Sequence, residues 1–272
     1  MNLIDKVRAL RHIRQSGYRL QLEDLPPGLF PFWQRNSGKE FPGIPESQLF
    51  FMQAATGLMR FFEVAADRDQ PCALPSLAAD SVWHAWTAWD AASLDHFCRR
   101  HFGKPIEHLP NARLDALALP RVLVGCREHE GTRSPGRGLP ALFGLDATLH
   151  MPYGHGYAVQ DHDIVYCRLN AEGRMTGRAR RHPELTLQAL VLANLISQPE
   201  YAAARRDKQA ADTGTGTLYV DGGGSHHERR DCDLDLDCQR GGDNGGDCSD
   251  GGGSSCGGGG GGGCGGGGGG GD

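Results

Sequence analysis

The chain is short of the patterns that announce a reaction. It has no Cys-x-x-Cys pair, no His-Glu-x-x-His and no Gly-x-Ser-x-Gly elbow. The loop Gly131-Thr-Arg-Ser-Pro-Gly136 lacks the Lys-Ser/Thr pair that would reach phosphate and magnesium. No run approaches the roughly 18 apolar residues of a membrane span. The opening MNLIDKVRALRHIRQS has no continuous apolar stretch, so no secretory signal is expected. Charge of one sign is also scarce. Residues 1–212 carry 25 basic and 23 acidic groups, a net +2. Such a balance excludes a strong nonspecific nucleic-acid footprint.

Glycine is abundant, and it is concentrated at one end. Residues 213–272 hold 3 basic and 10 acidic groups, a net −7, and include two runs of pure glycine around Cys264. Glycine has the most backbone entropy to lose and no side chain to bury. The division predicted is a mostly helical globular domain over 1–212 and a disordered Gly/Asp/Cys-rich tail over 213–272.

Within 1–212, Leu3, Val7 and Leu10 recur at helical spacing and predict a helix over 2–15. Residues 24–45 hold five prolines and read as turns packed on the core. The stripe Phe50, Ala54, Leu58, Phe61 and Ala65 predicts a buried helix over 46–66. Helices are expected at 78–90 and at 93–102, with Ser93 capping the second, and again at 113–125. Alternation about Gly154-His155-Gly156 and Asn170 to Gly173 predicts one or two hairpins, with His155 exposed at a turn tip. Helix returns at 184–197, and Ser197-Gln-Pro-Glu200 has the form of a capping box opening a last helix. The fold class expected is mainly α, a single helical domain with a small β-hairpin insert.

Residues 80–110 concentrate Trp83, Trp86, Trp89, His84, His96, His101, His108 and Cys98. Asp80-x-x-Trp83-His84, Phe97-Cys98, Gly103 and Ile106-x-His108-x-Pro110 fall in order. This pattern resembles the glycine-rich domain-containing protein-like family. It departs from that family at Leu94 and Glu107. The resemblance implies no activity that can be transferred.

Two readings of this segment stand. In one, His84, Cys98 and His108 converge as ligands of a zinc-like site in a metal-dependent enzyme or sensor; a structural site would close with a fourth ligand such as His96 or His101. In the other, Cys98 is a small buried hydrophobe, each histidine bonds a neighbouring element and each indole N–H finds a partner. A second set, His129, His150, His155 and His162, has no thiol or carboxylate pattern to complete it. The tail residues His226, His227, Cys232 and Cys238 offer a weak metal-binding alternative. A basic face would need Arg178, Arg180 and Arg181 to join Arg99, Arg100 and Lys104.

With no catalytic constellation, the function expected first is a non-enzymatic interaction or assembly module with a protein partner, in the cytoplasm. Four cysteines in the body with no framework spacing fit a reducing compartment.

Overall fold

A computed structural model describes residues 3–132, 138–160 and 163–213. The chain divides into two units, Met1–Ser225 and His226–Asp272. The second unit, with the tail cysteines, lies outside the described residues, and so does His162.

The described part is mainly helical with one small antiparallel sheet. Helix α4 (Gln48–Ala66) is its axis. The side chain of Ser47 accepts from Phe50 N at 3.1 Å and starts the helix. Phe51, Leu58, Met59, Phe61 and Phe62 are buried around much of its circumference, as expected of a helix that is packed on most sides. It packs against α1 (Leu3–Gln15), α2 (Arg19–Glu23), α5 (Leu77–Phe102) and α6 (Ala118–His129). A Cβ on Gly57 would meet Leu145 Cδ2 at 2.2 Å, so a larger residue there would displace the Leu145 side chain of α7 (Leu145–Thr148).

Helix α3 (Leu29–Glu40) corrects the expectation of turns over 24–45. Pro26 and Pro27 precede it, and Pro31 falls in its first turn, where a backbone N–H has no intrahelical partner to lose. Trp33 of α3 is fully buried, and its indole donates to Ser81 Oγ at 3.0 Å. This bond fastens α3 to α5.

The helices expected at 78–90 and 93–102 are the two halves of α5, separated by the non-helical Asp90 (φ −163, ψ 91). Asp90 caps the second half, with its Oδ1 accepting from Ser93 N at 2.9 Å. Ser93 is therefore the third residue of that half rather than its cap. In α1 the apolar repeat faces outward. Ala9 and Ile13 are buried, while Leu3, Val7 and Leu10 are exposed.

The sheet pairs β1 (His155–Gln160) with β2 (Asp163–Arg168), with Tyr157 opposite Tyr166, and β2 with the short β3 (Arg180–Arg181). Tyr157 and Ile164 share the face of the hairpin that joins the main core, while Val165 is buried on the other face. The helix expected over 184–197 is shorter, α8 (Leu187–Leu192). The last helix, α9 (Gln198–Thr213), opens with the expected box: Ser197 N donates to Glu200 Oε2 at 2.7 Å and Glu200 N to Ser197 Oγ at 3.4 Å.

Candidate metal centre

Asp80 and His84 lie four residues apart in α5, so their side chains share a face of the helix. The position of that face is fixed from below. Asp146, fully buried, accepts from Ser76 Oγ at 2.6 Å, Ala78 N at 3.0 Å and Leu77 N at 2.9 Å. It also accepts from His155 N at 2.8 Å, which ties the start of β1 to the start of α5. A buried carboxylate without such donors would be costly.

At the other end of α5, Gly103 (φ +80) takes the left-handed conformation that ends the helix. The chain turns back and brings His108, in the following loop, over Trp83 and His84. The His108 ring stands edge-on to Trp83 at 4.4 Å and to His84 at 4.7 Å between centroids.

Ligand-type atoms of three side chains meet there. His84 Nε2 is 3.1 Å from His108 Nε2 and 3.5 Å from Asp80 Oδ2. His108 Nε2 is 3.1 Å from Asp80 Oδ1. Asp80, His84 and His108 form the group of three whose ligand atoms all lie within 4.8 Å of one another; no other such group occurs among the described residues. The three side chains are 22, 31 and 31% exposed, so the cluster is open to solvent on one side.

Glu40, at the end of α3, sets the chemistry of His84. Its Oε1 lies 2.6 Å from His84 Nδ1. A carboxylate accepts, so Nδ1 donates to Glu40 and Nε2 is the nitrogen turned toward Asp80 and His108. This carboxylate–histidine arrangement orients imidazole ligands in metal sites. Phe41 packs edge-on against the same ring at 5.9 Å.

The structure brings His84 and His108 together and keeps Cys98 apart from them. Cys98 is fully buried, and its thiol is pushed up to about 12 by burial, partly offset by a hydrogen bond from the Ile106 backbone. His101 pairs with Asp24 at 2.8 Å and serves α2. Asp80 and Glu40 complete the centre in their place. Asp80 has a readable signal, an acid four residues before a histidine. Glu40 has none, because 44 residues separate it from His84.

The remaining histidines are held singly. His129 Nε2 lies 3.0 Å from Asp67. His150 has a left-handed backbone (φ 51). His155 begins β1 rather than topping a turn; its Nδ1 meets Tyr166 Oη at 3.0 Å, and burial lowers its pKa. The indole N–H groups also correct expectation, since Trp83 Nε1 and Trp86 Nε1 are buried without a partner. Among the basic residues, Arg99 pairs with Asp95, Arg100 with Asp24 and Arg181 with Asp163. Cys72, Cys98, Cys126 and Cys167 are free thiols.

A family model, UCP032817-like, matches residues 39–175, half of the chain. The chain belongs to the UCP032817-like family. No curated protein and no solved structure matches it. The UCP032817-like span contains Glu40, Asp80, His84, His108 and Asp146. It ends well short of the glycine-rich residues, and the comparisons give the glycine-rich family name no support. No helix among the described residues is long and apolar enough to cross a membrane.

Proposed function

We propose that this chain binds a divalent transition metal, zinc by ligand type, through Asp80, His84 and His108. The spacing of the donor atoms carries the reading. Tetrahedral zinc with bonds of about 2.0–2.1 Å sets its ligands roughly 3.3 Å apart. The two imidazole nitrogens are 3.1 Å apart, and the Asp80 carboxylate reaches His108 through Oδ1 at 3.1 Å and His84 through Oδ2 at 3.5 Å. Glu40 supplies the outer-shell acceptor that such a histidine ligand uses.

Three protein ligands and a solvent-facing side leave a coordination position open. A purely structural zinc site closes that position with a fourth protein ligand. A metal held here would supply a Lewis acid able to polarise a bound water or carbonyl oxygen. The reading therefore favours a metal-dependent enzyme or sensor over a passive assembly module.

The test is zinc titration of the chelator-stripped full chain by calorimetry. His84→Ala and His108→Ala each lose one equivalent that the wild type takes up, while Cys98→Ser keeps it. Equal stoichiometry in the wild type and both histidine variants would overturn the reading. Any metal taken up would then belong elsewhere, and the trio would be a hydrogen-bond network.

A further inference from the structure

Helix α1 presents a surface that the metal centre does not use. Leu3, Val7 and Leu10 are 74, 58 and 51% exposed. At about 100° per residue the three fall within an arc of roughly 60°, whose centre lies roughly 130° from the buried Ala9 and roughly 90° from the buried Ile13. Ile4, 59% exposed, flanks the stripe, and the other large exposed apolar side chains among the described residues are scattered, at Leu20, Tyr153 and Leu192.

Cations surround this stripe. Lys6, Arg8, Arg11 and Arg14 are all exposed, and no ion pair among the described residues engages them. The one acid of the helix, Asp5, is turned inward. Its Oδ2 accepts from Gln48 N at 2.7 Å and its Oδ1 from Leu49 N at 3.4 Å, at the start of α4. The outer face of α1 is therefore apolar and basic, with no counter-charge of its own.

We infer that α1 docks on an anionic lipid surface. A second copy of the chain fits poorly, because pairing two such faces sets Lys6 and Arg11 against like charges. An acidic helix of another protein fits less well than a bilayer. The seam Leu3, Val7, Leu10 spans two turns, and Arg14 takes the next seam position, so too little apolar length remains to hold a helix in register. A bilayer needs no register. The aliphatic side chains enter the acyl boundary, and the arginine and lysine stems extend along it to place their charges among anionic headgroups.

The experiment is co-sedimentation of the full chain with phosphatidylcholine vesicles, with and without phosphatidylserine. Binding is expected to the serine-containing vesicles, at least about tenfold stronger than to neutral ones, and lost near ~0.5 M salt. Leu3→Ser/Val7→Ser/Leu10→Ser and Arg8→Glu/Arg11→Glu should each weaken binding about tenfold or more, with the thermal melt unchanged. No binding, equal binding to neutral vesicles, or equal binding by both variants would overturn the inference. So would a dimer in sedimentation equilibrium that the leucine–valine variant dissolves, which would assign the face to a second copy.

Discussion

His84 and His108 face each other through their Nε2 atoms at 3.1 Å. One proton can lie between two imidazole nitrogens at that distance, while Glu40 accepts from Nδ1 of His84. In the proposed metal-bound state the ion would take the place of that shared proton.

Glu40→Gln tests the outer shell of the proposed centre. The three ligands remain, but the acceptor that fixes the His84 tautomer weakens. Zinc affinity should fall about 10–100-fold by calorimetry. Stability measured in chelator should change by no more than about 0.5 kcal/mol, since the Glu40 side chain is 54% exposed.

Asp146→Ala should be among the most damaging single changes. It leaves Ser76 Oγ and the Leu77, Ala78 and His155 amides without their shared acceptor. Each buried group left unpaired costs about 1–3 kcal/mol, and the costs overlap, so a loss of roughly 3–5 kcal/mol is expected in urea denaturation. A loss below about 1 kcal/mol would mean that water replaces the carboxylate at no cost.

Trp83 separates ring from N–H. Its indole is 3% exposed and packs on Phe61, Phe62 and His108, but its Nε1 has no partner. Trp83→Ala should cost about 3–5 kcal/mol through the cavity it leaves. Trp83→Phe should cost under about 1.5 kcal/mol, because it keeps most of the packing and gives up no hydrogen bond. Equal losses from the two variants would contradict this placement.

Acid should weaken the fold before its carboxylates titrate. Burial is the main cause that holds the pKa of His12 below its ordinary 6.5, and Arg60 adds to the effect. His182 shifts the same way, also through burial. The unfolded chain then binds more protons than the folded one as pH falls through about 6.5. The stability contributed is present above that pH and is lost as pH drops toward the folded pKa. Urea midpoints compared between about pH 7.5 and 5.5 should fall more for the wild type than for His12→Gln. A rise in stability on acidification would reverse the sign and refute the burial argument.

Much of the helical frame was legible because periodicity reports burial. The stripe of α4 and the Ser197–Glu200 box state their structure locally. Helix α3 was hidden because proline reads as a breaker, although three prolines here only mark the way in. His155 was misplaced because glycine neighbours suggest a turn, whereas the Asp146 contact that makes it a strand residue comes from outside the strand. At the candidate centre, both histidines were readable and Cys98 was chosen by thiol chemistry. Helical rise argues against it. Fourteen residues separate it from His84, about 21 Å along a straight helix. The contribution of Glu40 depends on how α3 docks on α5, which no local pattern encodes.

The loop between α5 and α6 bears on durability. His108 sits on a stretch without regular structure, held by its own contact with Trp83 and by Lys104 Nζ on the Arg68 carbonyl at 2.6 Å. Such a stretch can open without any helix unwinding. A cation bridging residues 84 and 108 would close that excursion as a reversible cross-link. Protease cutting between 103 and 117 would then act as a clock for occupancy, slow when the ion is held and fast when a chelator removes it.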